Sequence, residues 1–147
     1  WKPDTAPWTL ECNIALPCAT QNELDEEAAK QLIDNGVVAI AEGANMPCTN
    51  AAIAAFQEAG ILFGPAKAAN AGGVALSGLE MSQNAAFEMG DSAKLAERLE
   101  EIMRMIHGKC VEHAGERDGD RPVNYARGAN RAGFLKVADA LVAFGVS

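Results

Sequence analysis

The sequence predicts an α/β fold in which about three strands form a parallel sheet and helices follow to the C-terminus. Three short apolar segments, at residues 13–19, 37–41 and 61–65, have the length and composition of buried strands. Helical stretches with short connections separate them, which is typical of parallel strands joined by right-handed crossovers. From residue 73 onward we find apolar residues at helical spacing and no further strand.

The first strand, NIALPCA, leads into a polar loop and then a helix that we predict to run from Asn22 to about Asp34. Asn22 is a suitable N-terminal cap, because its side chain can accept a hydrogen bond from a free backbone N–H. Acidic residues crowd the first turns, where the helix dipole favours negative charge. Gly36 predicts the end of the helix.

The second strand, VVAIA, is followed by the loop EGANMPC and a second helix. Thr49 or Asn50 can cap this helix, which we expect to reach about Ala59 and to end at Gly60. The third strand, ILFGP, completes the alternation of strands and helices.

The remaining sequence predicts three helices. The segment GGVALSGLEMSQNAAF, at 72–87, predicts a helix entered through a glycine-rich turn, and a long helix begins near Ser92. One apolar face of the long helix is formed by Leu99, Ile102, Met103, Ile106 and Cys110. After a polar loop at 115–122, a closing helix is predicted from about Arg131 to Phe144. Its apolar face is formed by Phe134, Val137, Ala138, Leu141 and Val142.

Composition excludes several classes of function. The chain of 147 residues carries a net charge of −8, which argues against a nucleic-acid partner because nothing offsets repulsion by the phosphates. No apolar stretch approaches the ~20 residues needed to span a bilayer, and no secretory leader is recognisable, so we expect a cytoplasmic protein without a membrane partner. The chain begins at Trp1 rather than at methionine, so we expect it to be part of a longer protein.

The four cysteines are expected to be reduced thiols, mostly buried as small apolar residues, since their spacings match no metal pair. A zinc site at His107, Cys110 and His113 is an alternative. It is disfavoured because the two imidazoles point about 120° apart around a helix and no fourth ligand is near. We therefore predict no metal.

Ligands of parallel α/β sheets bind beyond the carboxyl ends of the strands. Three loops have that position, at 18–22, 42–47 and 67–73, and all are built of small residues with a few amides and hydroxyls. The neutral donors and acceptors are Thr20, Gln21, Asn45 and Asn70. They suit an uncharged ring or a ribose better than a phosphate, although capping and turn formation would also explain them. The phosphate-binding pattern GxGxxG is absent, so only the second half of a nucleotide-binding sheet is predicted.

At these loops the sequence resembles a known family. The matching segments are IALPCATQNELDEEAAKQL, AEGANMPCTNAA, GPAKAANAGGVALSGLEMSQNA, IMRMIHGKCVEHA and NYARGANRAGFLKVADALVAFGV. They resemble the hexameric, mostly NADP-dependent glutamate dehydrogenases of bacteria and fungi. The resemblance extends from about Pro7 to the last residue and corresponds to roughly the final third of a family member.

The resemblance implies an enzyme that interconverts glutamate with 2-oxoglutarate and ammonia, passing hydride to or from NADP, with NAD possible. Residues 1–90 would be the distal half of a Rossmann-like dinucleotide-binding domain, and 91–147 a helical segment returning to a missing substrate domain. Expected neighbours of the nicotinamide and its ribose are Ala19, Thr20, Gln21, Asn45 and Asn70. Val74 would line the space for the substrate side chain, and Ser77 would donate to its distal carboxylate, which selects an acidic amino acid.

The resemblance also implies what is missing. The lysine and aspartate that carry catalysis in the family lie in the N-terminal part, so no catalytic residue is expected in this chain and it should be inactive alone. The expected partners are that N-terminal part and, in the full enzyme, further copies in a homo-hexamer. Arg131 departs from the family, which more often has an apolar residue there. The alternatives are a non-catalytic binding or assembly module, and a leucine- or phenylalanine-type dehydrogenase, which Ser77 disfavours.

Overall fold

The computed structural model describes residues 6–87, 89–117 and 119–145. Trp1 and the two last residues lie outside them. A 3₁₀ turn at Pro7–Thr9 precedes the first strand. The strands are β1 (Ile14–Ala15), β2 (Ala39–Ala41) and β3 (Leu62–Gly64). The helices are α1 (Glu26–Asp34), α2 (Asn50–Glu58), α3 (Ala66–Ala69), α4 (Ala71–Ala86), α5 (Ser92–His113) and α6 (Tyr125–Phe144).

The three strands form one parallel sheet in the order β1-β2-β3. Ile40 of β2 stands opposite Ala15 of β1 and Phe63 of β3. After β3 the described residues contain only helices and loops, so the predicted α/β class, with about three parallel strands and C-terminal helices, is confirmed. None of the described helices is both long enough and apolar enough to cross a bilayer.

The hydrophobic core lies between one face of this sheet and the helices α1 and α2. Successive residues of a strand point to opposite faces, so Ala15, Ile40 and Phe63 share the buried one. Leu32 of α1 and Phe56 of α2 cover it, both fully buried. The ring of Phe56 stacks on that of Phe63 with centroids 6.2 Å apart. The core thus holds the sheet and its first two helices as one unit.

The first helix begins later than predicted. Asp25, not Asn22, is its cap, and the Asp25 carboxylate accepts from the Ala28 N–H at 2.9 Å. Asn22 instead has a left-handed backbone with φ of 56° and donates its N–H to the Met46 carbonyl at 2.9 Å. Asparagine tolerates that conformation better than most residues, so it forms the turn that precedes the cap. Of the two caps predicted for the second helix, Thr49 and Asn50, the structure has Thr49, whose hydroxyl accepts from the Ala52 N–H.

Several glycines in the C-terminal half lie within helices. Gly72 and Gly73 belong to α4, so the predicted glycine-rich turn is wrong. The closing helix α6 begins at Tyr125, six residues before the predicted start, and includes Gly128. A Cβ at Gly128 would lie 1.9 Å from the Cys110 carbonyl oxygen of α5. The glycine is therefore required by a close helix crossing and does not mark a helix end.

The two predicted apolar faces have different surroundings. On α5 the face formed by Leu99, Ile102, Met103, Ile106 and Cys110 is buried or half-buried, as predicted, and α5 packs against α4 and α6. On α6 the residues Phe134 and Val142 remain 71% and 80% exposed. The apolar face of the closing helix therefore has no cover within the described chain.

Candidate functional site

A cleft of about 740 Å³ lies at the carboxyl edge of the sheet. All three loops that sequence analysis selected contribute to it. Its lining is formed by Cys18, Ala19, Gln21, Gly43, Ala44, Asn45, Asn70 and Val74. The lining contains no Asp, Glu, Lys, Arg or His, so the cleft suits a neutral polar ring better than a phosphate.

Backbone hydrogen bonds join the first two loops into one unit. The Leu24 N–H donates to the Pro47 carbonyl at 3.0 Å, and the Thr49 N–H donates to the Leu24 carbonyl at 3.0 Å. Met46 has a left-handed backbone with φ of 51°, like its partner Asn22. Two residues in this sparsely populated conformation, facing each other across one hydrogen bond, indicate a loop geometry that the surrounding contacts maintain.

Gly43 lets the backbones of these loops approach closely. A Cβ at this position would lie 2.4 Å from Cys18 Sγ, so no other residue fits without movement of the cysteine. The N–H groups of Gly43 and Ala44 donate to the Pro17 carbonyl at 2.9 and 3.1 Å. The end of β1 and the start of the second loop are thereby held together beside the cleft.

Two asparagines connect the second loop to the third. Asn70 Nδ2 donates to Asn45 Oδ1 at 2.6 Å and to the Ala44 carbonyl at 3.2 Å. Asn70 ends α3 and precedes α4, so this pair links the helical half of the chain to the sheet half. Within the described residues, the Asn70 amide oxygen and the Asn45 amide nitrogen make no hydrogen bond. They are the acceptor and the donor that the pair can offer to a ligand.

Glu42 is a residue of this region to which sequence analysis assigned no role. Its side chain is 3% exposed and accepts from two backbone N–H groups, Cys48 at 3.2 Å and Ala66 at 2.6 Å. Burial is the main cause that raises the pKa of the Cys48 thiol, and the charge of the Glu42 carboxylate is the second cause. The only sequence signal was an acidic residue placed directly after the uncharged strand VVAIA.

The predicted site residues are brought together in part. Ala19, Gln21, Asn45, Asn70 and Val74 line the cleft, as expected for residues that share a ligand. The Ala19 N–H donates to Glu23 Oε1 at 2.8 Å, and Gln21 Nε2 approaches Met46 Sδ at 4.0 Å.

The other two predicted residues lie just outside the lining. Thr20 is exposed between two lining residues of the first loop. Ser77 is exposed on α4, three residues after Val74 and hence on the same flank of the helix. Both hydroxyls are therefore accessible to a molecule larger than the cleft itself.

The histidines and cysteines do not converge. The ring of His107 lies against that of Tyr125, with centroids 5.5 Å apart, and Cys110 is buried under Gly128. Among the described residues, no three His, Cys, Asp or Glu side chains are placed to share a metal ion. All four cysteines are free thiols. The expectation of burial is wrong for Cys18, which is exposed because it lines the cleft.

Comparison with known proteins shows similarity over nearly the whole chain. Residues 1–145 match the model of the glutamate/leucine/phenylalanine/valine dehydrogenase family. The NADP-specific glutamate dehydrogenase of Escherichia coli (strain K12) is 63% identical over 140 residues, which is 95% of this chain and 31% of that protein. The NAD-specific glutamate dehydrogenase of Bacteroides fragilis (strain YCH46) is 52% identical, with the same shares covered.

A solved structure shows the same fold. The crystal structure of Plasmodium falciparum glutamate dehydrogenase superimposes with a TM-score of 0.91 at 46% identity. The match covers 99% of this chain and 31% of that one. The chain thus spans about a third of the length of the proteins it matches, and the resemblance found in the sequence is confirmed.

Proposed function

We propose, since this chain belongs to the glutamate/leucine/phenylalanine/valine dehydrogenase family, that it is the nicotinamide-facing part of a glutamate dehydrogenase. The complete protein would interconvert L-glutamate with 2-oxoglutarate and ammonia, with hydride transfer to or from NAD(P). The observation that carries this proposal is the uncharged cleft at the carboxyl edge of the sheet. Its lining includes five of the seven residues to which the resemblance assigns cofactor or substrate contacts.

The cofactor part of the proposal rests on the chemistry of the cleft. A nicotinamide carboxamide offers one donor group and one acceptor. The amide oxygen of Asn70 and the amide nitrogen of Asn45, which are not used between the two asparagines, complement them. Ala19, Thr20 and Gln21 would lie beside the nicotinamide ribose, where small and neutral side chains permit close approach. The bound cofactor would supply the hydride, and these residues would orient the ring. Relatives named for NADP and for NAD are both similar, so we propose NADP, with NAD possible.

The substrate part concerns one flank of α4. Val74 is in the cleft and Ser77 follows one turn later, so a substrate beside the nicotinamide would meet both. A hydroxyl that donates to a buried carboxylate favours glutamate over an apolar amino acid, because such a carboxylate needs donors. A leucine- or phenylalanine-type enzyme would need an apolar side chain at this position. No residue of this chain is proposed to transfer a proton, so acid–base catalysis would come from the missing N-terminal part.

We also propose how the chain fits into the complete protein. Residues 1–90 would form the distal half of the dinucleotide-binding domain, and 91–147 would return to the substrate domain. The uncovered face of α6, with Phe134 71% exposed, is suited to that contact. A homo-hexamer and a cytoplasmic location complete the proposal. Four free thiols are typical of proteins in a reducing compartment.

A chimera tests the proposed function. The upstream two thirds of the Escherichia coli relative would be joined to this chain from Pro7 onward. We expect the purified chimera to oxidise NADPH when 2-oxoglutarate and ammonia are present, and to use 4-methyl-2-oxopentanoate far more slowly. The chain alone is expected to be inactive, because it lacks the acid–base residues.

The unmodified relative is the positive control. A chimera that assembles like the relative but shows no turnover would contradict the proposal and favour the non-catalytic module. Preference for 4-methyl-2-oxopentanoate would instead indicate the leucine-type alternative. Turnover by the isolated chain would contradict the assignment of catalysis to the missing part.

A further inference from the structure

We propose that Glu42 is a positioning residue. It would fix the relative positions of the Asn45 and Asn70 amides, and through them the orientation of the nicotinamide ring. The inference rests on the proposed function. It concerns a residue outside the cleft lining to which sequence analysis assigned no role. Glu42 would touch neither cofactor nor substrate and would act only through its neighbours.

One carboxylate connects two separate chain segments. Oε1 accepts from the Cys48 N–H at 3.2 Å, in the loop between β2 and α2, and Oε2 accepts from the Ala66 N–H at 2.6 Å, at the start of α3. Asn45 lies three residues before Cys48, and Asn70 lies four residues after Ala66. The hydrogen bond of 2.6 Å between the two asparagines closes this ring of contacts. Glu42 is thus the common anchor of both segments that carry the amides.

The two hydrogen bonds require a carboxylate at this position. It faces two N–H donors on different segments, so both of its oxygens must accept. A glutamine would turn its NH₂ group toward one of those donors and lose that hydrogen bond. The ion pairs found among the described residues lie on α1 and α5, and none involves Glu42. Its buried charge is therefore stabilised by backbone N–H groups, which makes these hydrogen bonds stronger than neutral ones.

A small displacement of the amides would be costly because hydride transfer depends on the geometry of the reacting atoms. Misplacement by about 1 Å can slow an enzymatic step by about a hundredfold. Loss of one hydrogen bond to Glu42 would free either the loop of Asn45 or the start of α3. We expect this to slow chemistry more than it weakens binding, since the cleft itself would remain.

The test uses the complete protein that contains this chain and compares Glu42→Gln with Glu42→Asp. For Glu42→Gln we expect kcat to fall about ten- to a hundredfold, with the KM for 2-oxoglutarate changed by no more than about threefold. Glu42→Asp keeps both acceptors on a shorter side chain and is expected to recover part of the lost kcat. Each kcat is calculated per NADPH-binding site, and the sites are counted by fluorescence titration. Unfolded protein therefore does not lower the kcat.

A second variant removes a donor without changing the acid. Ala66 is the first residue of α3, and Pro65 before it is extended, with φ of −71° and ψ of 149°, so proline is compatible with Ala66's position. Ala66→Pro deletes the N–H that Oε2 accepts from. We expect a loss of kcat in the same direction as for Glu42→Gln. The control is Glu100→Gln, which removes only an exposed ion pair with Arg104 and should leave kcat unchanged.

A double-variant cycle separates positioning from general structural support. If Glu42 acts through Asn70, Glu42→Gln should cause little further loss in kcat when Asn70→Ala is already present. The inference would be overturned if the kcat losses of Glu42→Gln and Asn70→Ala multiply in the double variant. It would also be overturned if Glu42→Gln and Ala66→Pro both retain wild-type kcat. A wild-type enzyme with no glutamate dehydrogenase activity would contradict the proposed function instead, so the two failures are distinguishable.

Discussion

The sheet half of this molecule and its helical half are stabilised in different ways. In residues 12–64, ten buried residues between Ala15 and Phe63 form one continuous hydrophobic core. In the three long helices α4, α5 and α6, the buried residues are only Cys110, Gly128 and Ala129. The first half is held by side-chain packing against a sheet, whereas the second combines half-buried side chains between α4 and α5 with a close backbone crossing of α5 and α6. The candidate cleft lies where the two halves meet, at the Asn45–Asn70 hydrogen bond.

This difference explains why large apolar residues occur in both halves but have different consequences. A buried phenylalanine in the sheet half supports its own fold. An exposed one on α6 is available to another part of the protein. We therefore expect substitutions in the sheet half to change mainly the free energy of unfolding. Substitutions of exposed residues in the helical half should change mainly activity or the contact with the rest of the protein.

The largest effect is expected at Phe56. Replacement of Phe56 by alanine in the complete protein should lower the free energy of unfolding by about 3–5 kcal/mol, because it leaves a cavity beside Phe63. The matched variant Phe134→Ala on α6 should cost less, because Phe134 is exposed in this chain and its loss leaves the core between the sheet, α1 and α2 intact. Urea midpoints at unchanged slope measure both. Equal losses would show that the two halves are not stabilised differently.

The helix crossing is tested by a pair of glycines on α6. Gly128→Ala should cost about 1–3 kcal/mol, since the new methyl group would lie 1.9 Å from the Cys110 carbonyl oxygen and the helices must separate. Gly133→Ala meets nothing within 4 Å and should stabilise α6 by roughly 0.5–1 kcal/mol. Thermal unfolding would reveal shifts of opposite sign. Tolerance of Gly128→Ala would contradict a close backbone contact at the crossing of α5 and α6.

The function of the helical half is tested at Ser77. In the complete enzyme, Ser77→Ala should lower kcat/KM for glutamate and 2-oxoglutarate about ten- to a hundredfold, which corresponds to roughly 1.5–3 kcal/mol, and leave cofactor binding nearly intact. Ser82→Ala, at another exposed position of α4, is the control and should have no effect. A change confined to the KM of the cofactor would show that Ser77 does not contact the substrate, and would contradict the assignment.

The smallest effect on structure is expected from thiol modification. Iodoacetamide should label the exposed Cys18 first and the half-buried Cys12 next, while Cys48 and Cys110 react only after unfolding. Burial raises the pKa of both protected thiols, so less of each is present as the reactive thiolate than of an ordinary cysteine at the same pH. Mass spectrometry of labelled peptides measures the order. Labelling of Cys48 at the rate of Cys18 would show that the sheet half opens readily.

The strands and the general position of the site could be predicted because their signals are local. Short apolar segments predicted the strands, and the loops that follow parallel strands predicted the edge where a ligand binds. Thr49 was identified as a cap for the same reason, since it bonds within one turn of its own helix. Asn22 was a wrong choice because Asp25, three residues later, is an equally suitable cap.

The features that could not be predicted depend on partners distant in sequence. Gly128 reads as a helix breaker until the carbonyl of Cys110 is known to lie against it. The start of α6 was predicted six residues too late, since the apolar face that predicted this helix begins only at Phe134. Glu42 has its second hydrogen-bond partner at Ala66, 24 residues away, and no spacing rule connects a strand end to that backbone N–H. The exposure of Cys18 likewise follows from the cleft, which three separate loops create.

The order of the strands has a consequence for how the protein folds during synthesis. Each strand pairs with the one that precedes it, and paired residues are only about 25 positions apart in the chain. Long-range closure is therefore unnecessary at each step, and a ribosome-bound chain can add one strand and one helix at a time to an existing edge. Among the strands of this sheet, β1 needs only β2 as a partner. When translation pauses after α2, we therefore expect the nascent chain to contain structure that resists protease.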